Sequence, residues 1–170
     1  PRPIGSTIKP FIYVEGFARG LRPYTKVDDR EYKYPIATGF PLYPKNYDGA
    51  YRGIITLHEA LAWSLNVPSV KILAYIGLPN FYQFLTQTLL FTPIQDLDGY
   101  QYGIALGGLE MDLLTLSHYF SIFTNDGMLT PLRVVDGGGK LETQIPPQSH
   151  IPAARRVAKS EDVELVNTIL

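Results

Sequence analysis

The sequence predicts an α/β chain that is mostly helical, on three observations. Apolar residues recur at helical spacing in several segments, most clearly Leu113, Leu114, Leu116, Tyr119, Phe120 and Phe123. Thr56-Leu57-His58-Glu59 has the S/T-x-x-E form of a capping box. Asp136-Gly137-Gly138-Gly139 separates two apolar stretches, 129–135 and 141–145, which is the pattern of a hairpin. With 170 residues, 45% hydrophobic and 18% charged, the chain can bury a core of ordinary size.

Taken in order, residues 6–19 read as a helix, with Ile8, Phe11, Ile12 and Phe17 on one face, Pro10 near the first turn and Gly20 as its C-terminal cap. Residues 20–55 hold many prolines, glycines and tyrosines without sustained periodicity. They read as a long ordered loop with one short strand near 32–36, and long loops in compact domains are often functional. The capping box opens a helix through Trp63, which Ser64-Leu65-Asn66 interrupts. Pro68 fits the first turn of the next helix, 67–76, and Gly77 stops it. A further helix is expected over 79–89, then a glycine-containing connection over 96–108. An amphipathic helix follows over 110–124, with Glu110 and Asp112 favouring its positive end and Asn125-Asp126-Gly127 ending it. Arg155-Arg156 reads as a solvated pair, and Ser160 as the cap of a last helix that runs to Leu170.

Composition narrows the function. A net charge of −1 argues against a nucleic-acid partner held by bulk charge. The absence of cysteine excludes disulfides and thiolate metal sites, and His58, His118 and His150 lack ligand spacing, so neither metal nor cofactor is expected. No apolar run is long enough to cross a membrane, and no signal peptide is evident. The glycine run before Lys140 lacks the spacing of a phosphate loop.

Two short elements can carry chemistry. In Ser6-Thr7-Ile8-Lys9, positions i and i+3 of a helix start share a face, so Lys9 can reach the Ser6 hydroxyl. A serine hydroxyl is a weak nucleophile and needs a base beside it. A lysine serves when burial and the positive helix end favour its neutral form. The Ser6 N–H, at the helix start, can donate to an oxyanion. Ser64-Leu65-Asn66 offers a hydroxyl that passes protons and an amide that orients an amine or a substrate carbonyl. Each element alone is common. S-x-x-K followed by Ser-x-Asn is the order found in penicillin-binding proteins and class A β-lactamases.

The flanks extend the match. PIGSTIKPFIY resembles the nucleophile segment of penicillin-binding transpeptidases, where P-G-S-x-x-K-P-F is typical. PKNYDGAYRGIITLHEALAWSLNVPSVKIL resembles the run into their second motif, and YGIALGGLEMDLLTLSHYFSIFTNDGMLTPLRVV the helix and strand beyond it. The overall resemblance is to class A penicillin-binding proteins of the one-C type. It implies a partial transpeptidase domain over 1–170, truncated at both ends, with helices over an antiparallel sheet that lies largely outside this stretch. An isolated piece of this kind is expected to be marginally stable.

The resemblance also implies roles. Ser6 matches the acylated nucleophile and Lys9 its base. Ser64 matches the proton-shuttling serine, and Asn66 the asparagine that contacts Lys9 and the substrate peptide. The implied partners are peptidoglycan stem peptides, as D-Ala-D-Ala donor and amine acceptor, together with β-lactams. The implied location is outside the cytoplasmic membrane, anchored by a helix elsewhere in a protein that also carries a glycosyltransferase domain. The same residue set serves D,D-carboxypeptidases and β-lactamases, and a non-catalytic penicillin-binding remnant is the reading from a different class. One departure stands out: the Lys-Thr/Ser-Gly motif of the family is absent, since Lys140 is followed by Leu141-Glu142.

Overall fold

A computed structural model describes residues 1–35, 41–132 and 153–170. Seven α-helices and six short strands are present among them, and the strands form three two-stranded antiparallel pairs. The α/β reading and the antiparallel pairing hold. The expected hairpin over 129–145 falls largely on residues outside those described.

The first helix is the centre of the fold. Gly5–Ile8 forms a 3-10 turn that runs directly into α1 (Lys9–Ala18). Lys9 through Val14, Gly16 and Phe17 are all buried, so α1 is covered on nearly every side, as a core helix must be. It packs on α2 (Leu57–Ala62), α3 (Asn66–Ile76) and α7 (Ser160–Asn167). Phe11 meets Phe120 and Phe123 edge-on at centroid distances of 5.3 and 5.2 Å, which ties α1 to α6 (Leu113–Phe120) and the 3-10 turn after it. The end of α1 is sharp. Gly20 adopts φ +97°, its N–H bonds the Phe17 carbonyl, and the Leu21 N–H bonds the Gly16 carbonyl, satisfying carbonyls the helix leaves open.

Among its described residues, the segment of 20–55 read as a loop holds one strand and the start of a second, and neither lies at the expected position. β2 (Lys26–Asp29) pairs with β3 (Gly53–Thr56), Val27 opposite Ile55, leading straight into the capping box of α2. Tyr34 makes an isolated bridge to Leu42 instead of opening a strand at 32–36, and Ile36 lies outside the described residues. The partner decides: Ile54 and Ile55 stand next to α2 and capture 26–29.

The capping box at Thr56 is complete, with the Glu59 N–H on Thr56 Oγ1 and the Thr56 N–H on the Glu59 carboxylate. The helix expected over 79–89 is α4 (Leu78–Gln83), continued by a π-turn over Phe84–Thr88. Residues 96–108 are more regular than a connection. Asp96 accepts the Gly99 N–H and starts α5 (Leu97–Tyr100), which leads into a 3-10 segment over Gln101–Leu106.

Residues 110–124 begin later than their periodicity suggests. Glu110–Met111 (β4) pairs with Arg2–Pro3 (β1), and Asp112 caps α6 from outside by accepting the Thr115 N–H. Asp112 therefore acts by a direct hydrogen bond, and Leu113 and Leu114 stand exposed. Arg155–Arg156 is not simply a solvated pair. It forms β6 against Met128–Leu129 (β5), and Arg156 donates to the Asp126 carbonyl. In α7 the cap falls one residue earlier than expected. Lys159 holds the N-cap position, while Ser160 is the first helical residue and its hydroxyl lies 3.4 Å from Asp126 Oδ1. The helix closes at Asn167, where the Thr168 N–H returns to the Glu164 carbonyl, rather than continuing to Leu170.

One contact positions the start of α1. The Ile4 N–H bonds the Leu109 carbonyl and the Gly5 N–H bonds the Gly107 carbonyl. Gly107 has φ +81°, and a Cβ there would sit 2.1 Å from Gly5 Cα. Gly107→Ala should therefore destabilise the intact protein by about 2–4 kcal/mol, combining a left-handed backbone with backbone overpacking. Gly103→Ala adds a methyl that meets no atom within 4 Å. That variant should stay within about 0.5 kcal/mol of the parent in thermal unfolding. Equal melting temperatures for the two variants would refute the close approach.

Candidate active site

Ser6 and Lys9 are placed by one turn but sit in different surroundings. In 3-10 geometry residues i and i+3 eclipse, so the two share a face, and the Lys9 N–H bonds the Ser6 carbonyl. Ser6 is exposed, whereas Lys9 is 1% exposed. Among the described residues no hydrogen bond joins the Lys9 amine to the Ser6 hydroxyl. The amine turns instead to the junction of α2 and α3.

There Lys9 Nζ donates to the Ser64 carbonyl, to Ser64 Oγ at 3.1 Å and to Asn66 Oδ1 at 2.8 Å. An ammonium has three protons, and all three are used. Among the described residues no carboxylate pairs with it. Removal from water lowers its pKa from the ordinary lysine value to about 8. A neutral amine has one proton fewer and a lone pair, so one of its three partners must then donate to it. Carbonyl and amide oxygens have no proton to give. The Ser64 hydroxyl does, which makes Ser64 the partner through which a proton can enter or leave the amine.

The local backbone explains why Ser64 is available. The Ser64 N–H bonds the Leu61 carbonyl and the Leu65 N–H bonds the Ala60 carbonyl, closing α2 in the same manner as Gly20 closes α1. Ser64 thus holds the left-handed position, φ +52°, that glycine usually fills. That costs about 1–2 kcal/mol for a residue with a side chain. The conformation presents both the carbonyl and the hydroxyl of Ser64 to Lys9.

Asn66 opens α3, whose N-cap residue, Leu65, has no side chain able to cap it. The cap comes from the long loop. Asn46 Oδ1 accepts the N–H groups of Asn66 and Val67 at 2.9 and 3.3 Å, and the Lys45 carbonyl accepts Asn66 Nδ2 at 2.8 Å. The Asn66 amide is thereby turned with Oδ1 toward Lys9.

Lys9, Ser64 and Asn66 therefore meet directly, and Ser6 is tied to Lys9 through the backbone, its hydroxyl making no hydrogen bond to any of the three among the described residues. Motif reading missed Asn46 and the Asp29 beneath it. Asn46 lies in the PKNYDGAYRG run that resembles the family, but as part of the turn-like Asn46-Tyr47-Asp48-Gly49 it reads equally as surface loop. Of the loop tyrosines, Tyr34 is buried against Tyr102 at a 5.0 Å centroid distance, while Tyr24 and Tyr47 are exposed.

With this geometry, residues 2–170 match the family model described as penicillin binding protein transpeptidase domain. The chain is 36% identical over 149 residues to penicillin-binding protein 1A of Neisseria flavescens, covering 84% of this chain and 18% of that protein. It is 32% identical over 149 residues to penicillin-binding protein 1A of Aquifex aeolicus, covering 84% of this chain and 20% of that protein. The chain thus spans no more than 20% of the length of these two curated relatives. The crystal structure of penicillin-binding protein 1A from Haemophilus influenzae superposes with a TM-score of 0.76 at 24% identity, covering 98% of this chain and 29% of that one. The transpeptidase domain of Burkholderia pseudomallei penicillin-binding protein 3 gives 0.70 at 19%, covering 99% and 52%. At these identities the likeness to solved structures is one of fold. Fold, motif order and family model agree: this chain belongs to the penicillin-binding protein transpeptidase domain family.

Proposed function

We propose that the protein is a serine D,D-transpeptidase that cross-links peptidoglycan stem peptides through an acyl-enzyme at Ser6, and that β-lactams acylate the same hydroxyl. The observation that carries this reading is the Lys9 amine. It is buried, has no carboxylate partner among the described residues, is held down to a pKa of about 8, and stands one turn from an exposed serine hydroxyl.

In this reading neutral Lys9 takes the Ser6 proton as Oγ attacks the carbonyl between the two D-alanines. The Ser6 N–H donates to the resulting oxyanion. Ser64 gives its proton to the leaving D-Ala nitrogen and recovers one from Lys9. The C–N bond breaks, D-Ala leaves, and the Ser6 ester remains. The amine of a second stem peptide then attacks the ester and loses its proton along the same relay in reverse, and Ser6 Oγ leaves as a hydroxyl. Asn66 holds Lys9 and contacts the peptide. The Lys-Thr/Ser-Gly element comes from the rest of the transpeptidase domain, of which these residues are a part. The whole protein, on this reading, works outside the cytoplasmic membrane, with an anchor and a glycosyltransferase domain in its remaining length.

Three outcomes are expected of the full-length protein. A fluorescent penicillin should label the parent covalently and fail to label Ser6→Ala; an unlabelled parent, or a labelled variant, rejects the assignment. The acylation rate should rise about tenfold per pH unit up to about pH 7, because the base is the deprotonated amine, and level off above about pH 9. A rate independent of pH between those limits would remove Lys9 as the base. Ser64→Gly should lose about 10²–10⁴-fold in acylation rate. Its fold stability should stay within about 1 kcal/mol of the parent, since relief of the positive φ offsets the lost Lys9–Ser64 Oγ hydrogen bond and the added freedom of the unfolded chain. Parallel losses of stability and rate would make Ser64 a structural residue only.

A further inference from the structure

We propose that the buried pair Asp29–Asn46 is a positioning element of the Lys9 site, setting the orientation of Asn66 and through it the seat of the amine; this rests on the assignment of Lys9 as the base. Asp29 is 0% exposed and Asn46 is 4% exposed, and among the described residues no cation pairs with the Asp29 carboxylate. A buried, unpaired carboxylate is costly and persists only when hydrogen bonds answer it. Here Asn46 Nδ2 lies 2.9 Å from each carboxylate oxygen, and the Arg52 N–H donates to Oδ2 at 2.9 Å.

The consequence is directional. Asn46 Nδ2 also donates to the Ala50 carbonyl at 2.8 Å, so both of its protons are committed to one side. An amide has its oxygen opposite its nitrogen, and Asn46 Oδ1 is left to face the start of α3. There it takes the N–H groups of Asn66 and Val67. The preceding residue supplies the second grip, the Lys45 carbonyl on Asn66 Nδ2. Backbone and side chain of Asn66 are thus fixed by two consecutive loop residues, and the free Oδ1 meets Lys9 at 2.8 Å. An apolar pair could fill the same volume but could not orient an amide. A loosely held Asn66 would let the amine drift, and misplacement by about 1 Å can cost on the order of a hundredfold in rate.

The test uses the full-length protein and measures two quantities with a fluorescent penicillin: the acylation rate constant and the fraction of protein finally labelled. Asn46→Asp removes the donor and sets two carboxylates together. Asp29→Asn keeps the side-chain size and replaces one of the two acceptor oxygens that face Asn46 with a donor. Each should lower the rate constant by about tenfold or more while the final labelled fraction stays at the parent level. Misfolding alone would lower the fraction and leave the rate of the remainder unchanged. The exchange variant Asp29→Asn/Asn46→Asp restores a donor facing an acceptor but leaves the Ala50 carbonyl without its donor, so it should recover part of the rate, at least about threefold above the singles. Should Asn46→Asp not accumulate, Asp29→Asn and the exchange variant carry the same comparison. Singles that acylate at the parent rate, or an exchange variant no faster than the singles, overturn the positioning role while leaving the Lys9 assignment intact. A parent protein that is not acylated removes both.

Discussion

The removal of one amine from water is the constraint on which the rest of this structure turns. Lys9 begins a helix that the core surrounds almost completely, so its charge cannot be left to solvent. Three oxygens answer it, all from a single short junction between α2 and α3. That junction in turn requires a left-handed residue at Ser64 and an external cap for α3, and the long loop provides the cap through Asn46. The chain thus runs from a buried amine to a strained serine, to a helix start, to a buried carboxylate. Each link satisfies a polar group that the previous link left open.

Much of the helical framework was legible because its determinants are local. The capping box at Thr56 and the glycines after α1 and α3 work within four residues of themselves, and they stand where the pattern placed them. Elements with distant partners were misplaced. Residues 110–111 carry helical periodicity but pair with Arg2–Pro3, more than a hundred positions away. The strand of the long loop fell at 26–29 because its partner is Ile54–Ile55. The cap of α7 shifted by one because Ser160 lies beside Asp126 instead of folding back on its own helix.

The candidate site divides in the same way. Ser6, Lys9, Ser64 and Asn66 stood out because two short motifs occur in a known order. Their juxtaposition was implied by family resemblance, since Lys9 and Ser64 are 55 positions apart. Asp29 lay in no matching block, and Asn46 lay in one that gave it no role. Of two adjacent aspartates, Asp28 and Asp29, burial singles out the second, and only the strand register and the folded loop determine that. Asn46 looked like a turn residue and is one, since its carbonyl takes the Gly49 N–H. Its side chain faces the other way, into the core.

The main-chain contact between the Ser6 turn and the 107–109 segment has a consequence for how the Ser6 hydroxyl is placed. The turn is held by the Ile4 and Gly5 N–H groups on two carbonyls, with glycine backbones touching. No side chain intervenes at that closest contact, so its length is fixed by peptide geometry and not by residue volume. Side chains around it can drift in size without changing where the hydroxyl stands. The position of the Ser6 hydroxyl is thereby set independently of the volume of neighbouring side chains, and that independence does not extend to the two glycines themselves.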